Sequence, residues 1–166
     1  MLRLTFEAQN WLSADGTRYR VEGLGRLRSL LEDMMIDELA KAVRPVPSLL
    51  IEAIGHVFHA ELESNSSADA LVDKLNSGAV ELELHDYGSF EKVGPLPWNL
   101  PRNDKQITTE PGDVILYQGN QITIYYDVNT WNFTRLARIN NETRENLLDV
   151  LGNGDVTVTL RIEWSE

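Results

Sequence analysis

A mainly β chain, a mostly antiparallel barrel or sandwich with short helices, is predicted by three features of the sequence. Segments of alternating polar and apolar residues are short and numerous; the cleanest sets Val156, Val158, Leu160, Ile162 and Trp164 against Thr157, Thr159, Arg161 and Glu163. Helical periodicity is confined to a few stretches, none placed between strands as a parallel βαβ unit requires. The chain has 166 residues, enough for one core that buries about 70% of the unfolded surface.

Leu2, Leu4 and Phe6 alternate with Arg3, Thr5 and Glu7, and Asp15-Gly16 then offers a tight turn before Tyr19 and Val21. Leu24, Leu27, Leu30, Leu31, Met34, Met35, Leu39 and Val43 recur at three- and four-residue steps, an amphipathic helix stopped by Pro45 and Pro47. Met34 and Met35 are read as packing or a subunit contact on that stripe. Residues 1–47 thus form a hairpin-and-helix extension, with residues 48–166 as the barrel domain.

Two apolar-rich runs flank Gly55, a second hairpin. Asn65-Ser66-Ser67 caps a short helix carrying Ala68, Leu71, Val72 and Leu75, which ends near Gly78. In the next strand Val80, Leu82 and Leu84 take one face, leaving Glu81, Glu83 and His85 to water. Further on, Asn141-Glu142-Thr143 opens a short helix through Leu147, Leu148 and Leu151, closed by Gly152 and Gly154.

Charge and composition exclude several functions. Twenty-six acidic against fifteen basic side chains give a formal charge of −11, which repels nucleic acid and anionic membrane surfaces. Cysteine is absent, removing disulfides, thiolate nucleophiles and zinc-thiolate sites. The first residues alternate where an export signal needs a continuous apolar core, so a cytoplasmic location is expected. No standard phosphate loop, nucleophile elbow or EF-hand loop is present. The sequons at Asn65, Asn132 and Asn141 are read as accidental.

The stretch from Leu96 to Ile139 concentrates unusual side chains, with two of the four Trp, three of the six Pro and a Pro111-Gly112-Asp113 turn. The order Asp86-Tyr87-Gly88, Glu91-Lys92, LPWNLPRND, PGDVILYQGNQITIYY and TWNFTRLARI resembles the small prokaryotic cyclophilin-like domain family, whose members are largely of unknown function. The resemblance covers residues 48–166 and implies a closed β-barrel of about eight strands with helices at its ends. True cyclophilins isomerise prolyl bonds with an arginine from an FHR-type motif. Here Phe58-His59 is followed by Ala60, so kinship of fold does not carry that activity over.

The reading that follows is a non-catalytic binding domain for a small molecule or extended peptide, in an aromatic pocket beside the Leu96 to Asp104 loop. Candidate walls are Trp98, Tyr117, Tyr126 and Trp131, and candidate donors are Arg102, Asn120 and Arg135, since guanidinium groups bind planar acceptors in bidentate fashion. The alternative for these side chains is structural, with the aromatics filling the barrel and the arginines paired with Asp104, Asp113 or Asp127. Two other functions are carried: an isomerase in which Arg102 or Arg135 polarises the prolyl amide, and a scaffold or homodimer joined through the 24–43 helix. No metal or cofactor is expected. His56 and His59 are three apart on a strand and face opposite sides, and the adjacent His85 and Asp86 point apart.

Overall fold

The computed structural model describes residues 10–12, 18–20, 32 and 45–165. The chain divides into two compact units, Met1–Arg44 and Pro45–Glu166. In the first, β1 (Asn10–Leu12) pairs antiparallel with β2 (Arg18–Arg20), the two flanking Asp15-Gly16 in sequence. The alternation from Leu2 to Phe6, and the 24–43 helix with Leu27, Leu31, Met34 and Met35, lie outside the described residues except for Glu32, which is helical.

In the second unit, β3 (Pro47–Ala53) and β4 (His56–Leu62) form a hairpin. Its two linking residues, Ile54 and Gly55, both have positive φ, the primed turn whose twist matches that of the strands. Helix α1 (Ser66–Leu75) follows, its first turn capped by the Asn65 carboxamide oxygen, which accepts from the amides of Ser67 at 3.0 Å and Ala68 at 2.9 Å. Then come β5 (Val80–Tyr87), β6 (Glu91–Pro95), β7 (Lys105–Thr108), β8 (Asp113–Tyr117), β9 (Gln121–Tyr125) and β10 (Thr130–Ile139). Helix α2 (Arg144–Leu151), capped by Thr143, leads into β11 (Val156–Trp164).

The strands join in the order β4-β3-β11-β5-β6-β9-β8-β10, every described pairing being antiparallel, and β10 returns to β4 through Ala137 opposite Leu62 and Ile139 opposite Ala60. That last pairing shuts an eight-stranded barrel and leaves it no open edge. Inside it the inward-facing alternates Leu49, Ile51, Leu84, Leu116, Ile122, Ile124, Val158 and Leu160 are buried, as the period of two requires. Leu71 and Leu75 of α1, and Leu147 and Leu151 of α2, join the same cluster. Because α1 links β4 to β5 and α2 links β10 to β11, the helices cover opposite mouths.

β10 is longer than its neighbours need. A register shift between Arg135 and Ala137 against β8 marks a bulge, a device that bends a strand. Beyond Thr134, the residues Thr130 to Phe133 pair with β7 instead. This two-stranded arm carries Ile107 and Phe133 onto the outside of the wall, where they bury Ile115 and Tyr125 in a second, smaller apolar cluster. Among the described residues no helix is long and apolar enough to cross a membrane.

Candidate functional site

Residues of β5, β6, β9 and β8 that point away from the packed interior form the outer wall beneath the arm. Tyr87 lies opposite Glu91, Glu91 opposite Tyr125, and His85 opposite Val93. Tyr117 lies opposite Gln121 at the far side. Between this wall and the arm residues Asn129, Trp131 and Phe133 is a cleft of about 500 Å³, to which Phe90 contributes from the β5–β6 turn. Its size is that of an ordinary small-molecule site.

Aromatic side chains make most of the lining and brace one another. Phe90 stacks on Tyr125 at 6.1 Å between centroids, Tyr125 meets Phe133 at 5.6 Å, and Tyr87 stands edge-on to Phe90 at 5.9 Å. Trp131 and Tyr87 are both more than half exposed and form the lips. Asn129 is positioned through Thr109, whose hydroxyl accepts from the Asn129 amide at 2.8 Å, and its Nδ2 donates to the Tyr125 hydroxyl at 3.4 Å.

Glu91 is the acid of the cleft, 7% exposed, and its Oε2 is buried without a hydrogen-bond partner. Burial pushes its carboxyl above the usual carboxylate range, against the pull of a hydrogen bond with Tyr125 and of nearby His85. The same burial, together with that bond to Glu91, raises the Tyr125 hydroxyl. A carboxyl whose folded value exceeds its unfolded one holds its proton more tightly when folded, so stability falls as pH rises through that window. Glu91→Gln is therefore expected to melt about 3 °C higher than the parent at pH 7.5, a gain of about 1 kcal/mol after allowance for water in the open cleft. The gain should vanish below pH 4, where both forms are neutral. Thermal denaturation across that range measures it, and an equal gain at every pH would contradict the assignment.

Of the seven side chains singled out in the sequence, the structure brings Tyr117 and Trp131 into this cleft. The other five lie elsewhere. Trp98 packs, half-buried, on the barrel core, and Tyr126 is fully buried inside it. Arg102 is exposed and bonded to Asp104, its Nε donating at 2.9 Å. Arg135 donates from Nη2 to the fully buried Asp113 at 3.0 Å and lies 3.6 Å from Glu63. Asn120 is exposed in the β8–β9 turn, its carbonyl accepting from the Leu96 amide. The Leu96 to Asp104 loop covers a mouth of the barrel, where Leu96 and Leu100 are buried and the Ser67 hydroxyl of α1 donates to the Pro101 carbonyl at 2.6 Å. The hollow of about 420 Å³ that Leu96 and Pro97 border is lined by Val80 to Glu83 and Pro95, with no aromatic ring. Four residues of the cleft, Tyr87, Phe90, Glu91 and Phe133, are not among the site candidates read from the sequence, although adjacent Tyr125 and Tyr126 on one strand must serve opposite faces.

Inside the barrel, at the α2 mouth, Lys92 has no exposed surface and donates to Asp86 at 3.0 Å and to the Gly154 carbonyl at 2.7 Å. The Tyr126 hydroxyl donates to the same Asp86 oxygen at 2.5 Å. Burial alone would raise the Asp86 carboxyl; the bonds from Tyr126 and Lys92 outweigh it and hold the group below the usual range. This cluster has its partners and reads as structural. Among the described residues no three His, Asp or Glu gather as a metal-ligand set.

A family model described as the cyclophilin-like family matches residues 51–163. Among solved structures, the solution structure of a hypothetical protein from Archaeoglobus fulgidus superposes with a TM-score of 0.52 at 18% identity, covering 72% of this chain and 97% of that one. At that identity the likeness is one of fold. No curated protein matches. The match over the whole barrel, with the closed strand order that it accompanies, shows that the chain belongs to the cyclophilin-like family.

Proposed function

We propose that this protein is a non-catalytic binding module that takes a small molecule in the cleft on the outer wall of the barrel. The observation that carries the reading is the cleft floor: a buried carboxyl with an unpartnered oxygen, set among braced aromatic rings. Unpaired buried acceptors are costly in a folded protein and are retained where something else satisfies them. A volume of about 500 Å³ suits a compact organic molecule better than an extended peptide, which needs a long groove.

The isomerase alternative needs a strong donor directed at the prolyl amide. No Arg or Lys lines the cleft, and both Arg102 and Arg135 are engaged with carboxylates. No acceleration of proline isomerisation is expected in a peptide assay.

A fragment library titrated against the isotope-labelled chain and followed by amide chemical shifts tests the binding reading. Binders should move the amides of Glu91, Tyr125, Asn129 and Phe133, and Trp131→Ala should weaken them about fivefold by removing one lip. Binders that move only the Leu96 to Asp104 loop, or none at all, would overturn it.

A further inference from the structure

The lining of the cleft is one-sided in charge. It contains a carboxylate residue, Glu91, and no Arg or Lys; His85 is the one side chain there able to become a cation. Apart from Val93 the remainder is aromatic or amide, and aromatic faces attract cations. The chain as a whole carries a formal charge of −11, which draws cations toward the surface and repels anions. Glu91 Oε2 lacks a donor, and the terminal torsion of a glutamate is soft enough to turn that oxygen toward an arriving N–H.

We propose that the ligand is an organic ammonium, a primary or secondary amine on an aromatic or apolar body, with its N–H donated to Glu91 and its body held among Tyr87, Phe90, Tyr125 and Phe133. This rests on the cleft being a ligand site and adds the chemical class. The ammonium supplies the missing donor and offsets the charge that burial disfavours, so the acid that destabilises the empty protein becomes the anchor of the filled one. An anion of the same shape meets a like charge and no basic partner. A neutral alcohol gains the aromatic contacts and one hydrogen bond to the carboxylate, without the attraction of opposite charges. A quaternary ammonium gains the aromatic faces but has no N–H for Oε2.

The test compares 2-phenylethylamine, 2-phenylethanol and phenylacetate on the full chain at pH 7.5, by calorimetry and amide chemical shifts. The amine is expected to bind at least about tenfold more tightly than the alcohol, the difference made by an opposite charge on the donor, with phenylacetate weakest. Glu91→Gln should erase most of that preference, bringing the amine to within about threefold of 2-phenylethanol. If the alcohol equals the amine, or the preference survives Glu91→Gln, the ammonium assignment fails while the cleft stands as a binding site. If none of the three probes moves a cleft amide, both readings fall together.

Discussion

Asp86→Ala is expected to lower the melting temperature by about 10 °C at neutral pH, a loss of about 3–5 kcal/mol. The cause is what it leaves behind. Lys92 has no exposed surface, and without Asp86 its ammonium keeps one neutral acceptor, the Gly154 carbonyl at 2.7 Å. The Tyr126 hydroxyl loses its acceptor as well. Lys92→Met is expected to cost less, because Asp86 retains about a quarter of its side-chain exposure and its bond from Tyr126. The order of the two variants is thus a test of which partner depends on the other. The folded carboxyl of Asp86 titrates below its unfolded value, so its contribution is present above the ordinary carboxylate range and is lost as pH falls through the lowered value. The gap between Asp86→Ala and the parent should narrow in acid. A gap that holds constant to pH 3 would contradict the ion-pair account.

Gly112→Ala is the second large effect, at about 3 kcal/mol or more and a melting temperature lower by roughly 6–12 °C. Gly112 has a φ of 93°, and a methyl group there would lie 2.3 Å from the Ile139 carbonyl oxygen. That oxygen belongs to backbone at the end of β10, where Ile139 also pairs with Ala60 to close the barrel. The same glycine donates to the Tyr125 carbonyl at 2.9 Å and accepts from the Ile139 amide at 2.8 Å, so it cannot retreat without breaking one of these bonds. Gly55→Ala provides the control. Its φ of 78° carries a similar conformational strain, but nothing lies within 4 Å of the added methyl group, and about 1 kcal/mol is expected. Denaturant unfolding of both separates the clash from the strain; equal losses would mean that the Ile139 contact is unimportant.

The barrel was legible because its strands obey the period of two wherever one face is buried. Val156 to Trp164 reads at sight, and so does the opposed facing of His85 and Asp86, which the structure sets on the outer wall and in the interior. The caps at Asn65 and Thr143 follow from side-chain chemistry that acts within three residues. β6 was harder, since Glu91-Lys92-Val93-Gly94-Pro95 has neither alternation nor strand-forming composition. Its two adjacent charges are both buried, one on each side of the wall, each for a long-range reason. The arginine pairs were visible as an alternative because Arg102 has Asp104 two residues away, whereas Arg135 reaches Asp113 only through the β8–β10 pairing.

The cleft was mostly hidden for a related reason. Its walls come from five strands and two connecting segments, and outward aromatics on a barrel look like surface until something covers them. What covers them is the arm, produced by the bulge in β10 and the short strand β7, and neither leaves a mark in the local sequence. Trp131 and Tyr117 stood out by residue type; Glu91 is one acid among twenty-six and gains its character from burial alone.

A crystal structure of the full chain grown with 2-phenylethylamine is the most direct test of where this protein meets its ligand. The amine should lie between the outer wall and the β7–β10 arm, its nitrogen within hydrogen-bonding distance of Glu91 and its ring against Phe90 and Tyr125. The amine bound at the mouth closed by Leu96 to Asp104, or inside the barrel, with the outer cleft filled by solvent, would contradict the account.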